Sequence, residues 1–561
     1  MTGAPIRIGN ASGFYGDRAT AWQEMLTGGQ LDVLTGDYLA ELTMLILGRD
    51  RAADPDAGYA KTFLKQMEIS LGTAVERGTR IVTNAGGLNP TGLATALRGL
   101  ADRLRFPLRI GVVTGDDLTG RAAELQLGEP LVANAYLGAF GIARCLDAGA
   151  DIVVTGRVTD ASLAVGPAIH AFGWKPDDLD QLAGATVAGH VIECGAQATG
   201  GNFSFFTELP DGGRHPGFPI AEIHHDGSAV ITKHPGTGGA VTTETVTAQL
   251  LYEIGGPSYI GPDVVARLDT IALGDDGPDR VSIRGVRGTP PPPTLKVGIG
   301  TLGGFHATMT FVLSGLDIEA KAALVRAQLG DGLEYRLART DRPDADTIET
   351  ASALLHVHEK SNQPGRTLAR AAVELALASY PGCTLTSPPR DAAPFGRFTA
   401  GAVAQDSVAH TAILPDGTRV PVPPPAHTAP PEDPPPDDPP PDPRSAPEGP
   451  HTSAPLGLVA GARSGDKGGD ANLGLWVRDE RAYSWLRAYL TPARLRALLP
   501  ETVDLPIERY ELPNLHAVNF VIRGLLGDGV AASTRFDPQA KALGEWLRSR
   551  VVEIPEELLP C

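Results

Sequence analysis

No helix or sheet ladder can be threaded through PVPPPAHTAPPEDPPPDDPPPDPRSAPEGP, Pro421 to Pro450, where 15 of 30 residues are proline. Each proline lacks the backbone N–H that either structure needs. The stretch predicts an acidic, semi-extended spacer of polyproline type. Few basic residues flank its prolines, so it reads as a linker and not as an SH3-type ligand. It divides the 561 residues into a body of about 420 and a tail of about 110.

The first part of the body predicts alternating α and β structure. Apolar runs in LDVLTGD, TRIVTNAGG, LRIGVVTGDD and ADIVVTGRVTD are separated by helical patterns such as AGYAKTFLKQMEISLGTAVERG and NAYLGAFGIARCLDAG. Strands buried on both faces and spaced by helices form a parallel sheet. Polar residues follow each run: Asp37; Asn84 with Gly86 and Gly87; Asp116 with Asp117; Arg157 with Asp160. All would emerge at the carboxyl ends of strands, where parallel sheets place their sites. The competing reading makes Asp37 and Asp160 helix N-caps and Asn84 a turn former. Asp116 beside Asp117 fits a cap less well, because adjacent carboxylates repel. A shared divalent cation or a raised pKa would account for that pair.

Further along, GHVIECGAQATGGNFSFF (189–206) sets His190, Glu193 and Cys194 so that, in a helix, His190 and Glu193 share a face. They can act as a general base with its orienter, as two metal ligands, or as a hydrogen-bonded pair at a domain seam. ITKHPGTGGAVT (231–242) offers Lys233 and His234 beside glycines, and matches neither the Walker loop nor GxGxxG. From about Arg284 the pattern changes. TLKVGIGTLGGFHATMTFVLSG predicts paired strands and IEAKAALVRAQLG a helix, which gives an α+β lobe. His356, His358 and Glu359 alternate as on a strand and read as structural.

In the tail, GARSGDKGGDANLGLW (461–476) places Arg463, Ser464, Asp466, Lys467 and Asp470 among five glycines. Such a loop can present bare N–H groups beside fixed charges and so hold an anion, with Arg463 and Lys467 gripping a carboxylate or phosphate. The alternative is a strand-to-strand turn whose charges seal an interface. The expected domains are therefore 1–283 (α/β body), 284–420 (α+β lobe), 421–455 (linker) and 456–561 (small α+β domain).

Composition narrows the function. A net charge of −18 without a concentrated basic face argues against a nucleic-acid partner. Cys145, Cys194, Cys383 and Cys561 are far apart and form no CxxC, so neither a disulfide framework nor a thiolate zinc site is indicated. No apolar run reaches the ~18 residues of a membrane span, and MTGAPIRIGNASG has no signal-peptide layout. The reading is a cytoplasmic protein with no membrane partner.

In order along the chain, IGNASGFYGDR, LTGDYLAELTM, NAGGLNP, NAYLGAFGI, GADIVVTGRVTDASL with GP and FGW after it, GHVIECGAQATGGNF, GFPIAEIHHDGSAVITK, GGAVTTETVTAQLLYEI and PDV resemble the acyclic terpene utilisation AtuA family. The tail, from GARSGDKGGDANLGLW through RYELPNLHAVNFVIRGLLGDG to FDPQAKALGEWL, is similar to the ferredoxin-fold domain that members often carry. The resemblance implies a part in citronellol and geraniol degradation, which runs through branched acyl-CoA thioesters. Two classes of function stand open. One is a catabolic enzyme with hydratase or lyase chemistry on an acyl-CoA or carboxylate, CoA entering only as part of the substrate. There His190, Glu193, Asp116 and Asp37 are the catalytic candidates, and Asn84, Gly86, Gly87, Arg157, Asp160, Lys233, Arg463 and Lys467 the binding ones. The other is a non-catalytic partner or scaffold of a catabolic complex. The tail loop would complete a site on the body or on a neighbouring subunit of a homo-oligomer.

Overall fold

The structure, a computed structural model, describes residues 4–432 and 449–560. It divides into two compact units. One comprises Met1–Gly300, Phe398–Val530 and Asp537–Cys561; the other comprises Thr301–Arg397 with Ala531–Phe536.

In the larger unit, β1 (Ile6–Asn10), β2 (Val33–Gly36), β3 (Arg80–Thr83), β4 (Ile110–Thr114) and, after a short strand β5 (Val132–Ala135), β6 (Ile152–Thr155) include the apolar runs of the sequence. They line up in parallel in the order β1-β2-β3-β6-β4. Antiparallel strands extend both sides: β7 (Pro219–Ile223) and β8 (Ala229–Lys233) beyond β1, and Thr411–Ile413 beyond β4. The runs lack polar alternation because both faces are covered. Ile81, Ile152 and Val154 point into a core with Trp22, Phe63 and Leu97 from α1 (Ala21–Gly28), α3 (Lys61–Arg77) and α4 (Pro90–Leu104). Val82, Val113 and Val153 point the other way, towards α5 (Phe140–Asp147), α6 (Ser162–Phe172) and α7 (Leu179–Glu193). The remaining helix of this stretch, α2 (Glu41–Ala53), follows β2.

Helix α7 has no polar stripe and is buried from Leu182 to Glu193. Such a helix belongs inside a core, and it fits there through small residues. A Cβ on Gly184 would lie 1.9 Å from the Gly227 carbonyl oxygen.

The tail forms a four-stranded antiparallel sheet in the order Gly461–Lys467, Asp470–Trp476, Ala517–Ile522, Ile507–Leu512. Its Trp476, Leu512, Leu515 and Ala517 join the core that holds α5 to α7. The tail is thus docked on the body. The linker also begins packed down: Ala429 N–H donates to the Pro291 carbonyl and Arg267 to the Glu432 carbonyl. Residues 433–448 of the linker lie outside the described residues.

The expected pair of strands in TLKVGIGTLGGFHATMTFVLSG is one strand, Thr294–Ser314. Gly303 and Gly304 do not reverse it, because each side has its own pairing partner. Val297–Gly300 pairs with β5, and Phe305–Ser314 pairs with Ser352–Ser361 of the smaller unit. His356, His358 and Glu359 lie on that second partner strand.

Candidate functional site

Strand polarity brings four predicted polar groups to one edge. Asp37 leaves β2 and accepts a hydrogen bond from Asn84 Nδ2 at 2.6 Å, just beyond β3. Asn84 Oδ1 accepts from the Tyr38 N–H, and Arg157, beyond β6, donates to the Leu39 carbonyl at 2.8 Å. The Asp116 carboxylate, beyond β4, accepts from the Arg157 N–H and from Asn134 Nδ2, each at 2.8 Å. Arg157 also pairs with Asp160 at 2.8 Å and lies over the Tyr136 ring. The capping alternative fails for both aspartates. The N-caps of α2 and α6 are Ala40 and Ala161, and neither helix has a side-chain cap hydrogen bond.

Asp116 and Asp117 point apart, and Asp117 pairs with Arg51 at 2.6 Å. Among the described residues no group of three or more His, Cys, Asp or Glu is placed to hold a metal ion. What remains of the paired-carboxylate reading is the raised pKa: burial pushes Asp116 up to about 7. Gly86 and Gly87 form the β3–α4 turn and press on protein, a Cβ on Gly86 meeting the Thr155 carbonyl oxygen at 2.4 Å. The Lys233 ammonium is taken up by Asp279 and the Thr237 carbonyl, away from this edge cluster.

The last turn of α7 delivers His190 and Glu193, with Nδ1 and Oε1 3.0 Å apart and Tyr259 against the imidazole. Asn10, at the end of β1, donates to the Ile192 and Glu193 carbonyls and ties that turn to the sheet edge. Burial, reinforced by Asp160 and Glu253, raises the Glu193 pKa well above the usual carboxylate range. Burial also lowers His190 to about 4, so burial disfavours the charged form of both partners. Asp37 is raised in the same way, by burial and by Asp160.

GARSGDKGGDANLGLW is a β-hairpin and not an anion-cradling loop. Lys467 pairs with Asp470 across the two-residue turn Gly468–Gly469, and Gly468 takes φ +65. Its other glycines serve close packing: Cβ atoms on Gly465 and Gly474 would strike Tyr252 and Leu251 at 2.5 and 2.7 Å. These body residues end α8 (Thr243–Leu250), which is held by a Thr242 capping box. Arg463 is buried, with its guanidinium on Gln197 Oε1 and 4.1 Å above the Tyr252 ring. Glu253 sits at φ +57, a conformation that L residues rarely adopt. The tail holds it there, Asn472 Oδ1 accepting from its N–H and Lys467 Nζ donating to its carbonyl.

Lys467 is solvent-exposed, and Lys296 keeps 48% of its side chain accessible; Glu41 and Asp160 each keep 26%. Yet burial is the largest influence on the charges of Glu41, Lys296 and Lys467. Glu41, Tyr136, Arg157 and Phe398 wall a narrow hollow, with Lys296 over the Tyr136 ring and the Gly468 turn against Phe398 at its side. Burial and then Lys296 lower Lys467 to about 8; burial and then Glu253 and Glu41 raise Asp466 to about 7. Two neighbouring residues of one hairpin thus titrate near neutrality. Burial raises Glu253 also, whereas Lys296 and Arg157 hold Glu41 below its usual value against burial.

Residues 6–414 match the family described as acyclic terpene utilisation family protein AtuA, and 454–553 match the AtuA ferredoxin-like domain. The chain belongs to the AtuA family. No curated protein and no solved structure matches it. Membership places this AtuA chain in acyclic terpene utilisation. No helix among its described residues is long and apolar enough to cross a membrane.

The AtuA hollow gathers more than the strand-end pattern indicated. Glu41, Tyr136 and Glu253 lie within LTGDYLAELTM, NAYLGAFGI and GGAVTTETVTAQLLYEI but follow no strand run directly, and Lys296 lies in none of the family stretches. Glu41 opens α2, three positions after Tyr38, and could have been found by following the strand-end logic one turn into the helix. Lys296 and Glu253 leave no such signal.

Proposed function

We propose that this AtuA-family chain is an enzyme that moves a proton beside the carbonyl of an acyl-CoA or carboxylate substrate, the step on which hydratase and lyase chemistry depends. The observation that carries this reading is the consecutive pair Asp466 and Lys467, held near 7 and 8 on the hairpin whose Gly468 turn packs against Phe398 beside the hollow. A general base works best when its pKa lies near the operating pH. In this reading Asp466 takes or returns the proton, and Lys467 faces the enolate oxygen as negative charge develops there. Glu193, whose carboxyl burial pushes up and which His190 orients, is the second acid, able to protonate a leaving hydroxyl or the adjacent carbon. Asp37, Asn84 and Asp116 position Arg157 and the strand-end backbone around it.

Incubation with branched and straight acyl-CoA thioesters in D2O tests the proposal by mass spectrometry. Deuterium should enter the α carbon, and Asp466→Asn should slow that exchange by on the order of a hundredfold. The rate should rise as pH climbs through about 7 and Asp466 ionises. It should fall above about 8 as Lys467 loses its charge. Thioesters that bind without exchanging would replace the enzyme by a binding partner or scaffold.

A further inference from the structure

Two cations share the Tyr136 ring, and they are unequally partnered. The Arg157 guanidinium lies 4.2 Å from the ring centroid and Lys296 Nζ 4.5 Å. Arg157 is answered by Asp160 and by the Leu39 carbonyl, both at 2.8 Å. Lys296 has the Glu41 carboxylate at 3.9 Å, beyond hydrogen-bond reach, and the more distant Phe398 ring at 6.0 Å. Among the described residues no oxygen accepts a hydrogen bond from its ammonium. An ammonium has three donors to place. Here they open on the hollow.

The surroundings keep that space clear. Lys296 stands on the strand that continues through Gly298 and Gly300, beside a narrow crevice walled by Glu41, Met44, Tyr136, Arg157 and Phe398. A Cβ on Gly298 would come 3.2 Å from Phe398, and one on Gly300 2.6 Å from Leu45. Side chains at these positions would crowd the crevice. Lys467 adjoins Gly468, where a Cβ would lie 3.3 Å from the same Phe398 ring that Lys296 faces, and the two ammonium groups repel. An anion between them would relieve that repulsion and accept charge-assisted hydrogen bonds from both.

We propose that Lys296, with Lys467, seats a carboxylate belonging to the substrate, so that the hollow selects acyl compounds that carry a free carboxylate over those with a neutral tail. This rests on the hollow being the substrate site argued above. A site whose cation lacks a hydrogen-bond acceptor favours a ligand that supplies one over an analogue that does not.

Calorimetric titration of the full chain with glutaryl-CoA and with pentanoyl-CoA tests it, since the two differ by the terminal carboxylate. The wild type should bind glutaryl-CoA tighter by on the order of tenfold or more. Lys296→Met should abolish that preference while still binding pentanoyl-CoA, which also reports that the variant is folded; Lys296→Arg should keep part of it. Near pH 8, glutaryl-CoA binding should draw a proton onto Lys467, seen as a heat that varies with the ionisation enthalpy of the buffer. Equal affinities in the wild type, or a preference that survives Lys296→Met, overturn the carboxylate seat and leave the proton-transfer reading to the deuterium experiment. Failure of both thioesters to bind overturns the seat and counts against the acyl-CoA reading as well.

Discussion

Arg463 and Lys467 stand four positions apart on one strand and meet opposite surroundings. Arg463 is 5% exposed, spent on Gln197 and the Tyr252 ring, whereas Lys467 is open to the hollow. Losing a buried charged hydrogen bond costs ~1.5–3 kcal/mol and a desolvated cation–π contact adds ~1–2. Arg463→Ala should therefore destabilise the fold by about 3 kcal/mol. Lys467→Ala should cost less than about 1 kcal/mol and act on turnover instead. Denaturant unfolding beside the deuterium-exchange rate separates them, and a Lys467 variant that loses stability but keeps its rate would remove that residue from the site. The two residues look alike in GARSGDKGGD, because alternation along a strand does not say which neighbour lies opposite. Asp37, Asn84 and Arg157 were legible, since a strand's carboxyl end is a local feature of sequence. Lys296 and Glu253 were not: their setting depends on pairing with β5 and on the grip of the tail.

Among the elements, α7 positions most for its length, fixing His190 and Glu193 in its last turn. Its sequence LDQLAGATVAGHVIE reads as helical through small residues, not through an amphipathic stripe, because protein surrounds it from Leu182 onward. Gly184 sets its approach to the turn between β7 and β8, where a Cβ would overlap the Gly227 carbonyl oxygen. Forcing extra atoms into a packed seam costs ~1–3 kcal/mol. Gly184→Ala should lower the melting temperature and slow exchange as well, because α7 must shift and carry Glu193 with it. An unchanged melting temperature would show that this contact does not set the helix. The tail hairpin teaches the converse lesson. Its glycines suggest an anion loop, and their actual use is to let Tyr252 and Leu251 come close.

At the scale of the whole molecule there are two family modules, 6–414 and 454–553, and the second keeps a core of its own while lending Trp476, Leu512, Leu515 and Ala517 to a core of the first. The proline run marks where they separate along the chain, yet Trp476 and Leu515 of the ferredoxin-like domain are buried in the core of the body. Composition could locate the boundary but not the docking, which needs the third dimension. The account's central claim is that the body supplies Glu193 and Lys296 while the ferredoxin-like domain supplies Asp466 and Lys467. The direct measurement is deuterium exchange by two separately produced fragments, one ending at Pro440 and one beginning at Pro441. Neither fragment alone should exchange the α proton of an acyl-CoA; mixing them should restore exchange, but not when the second carries Asp466→Asn. Full exchange by the first fragment on its own would contradict the claim.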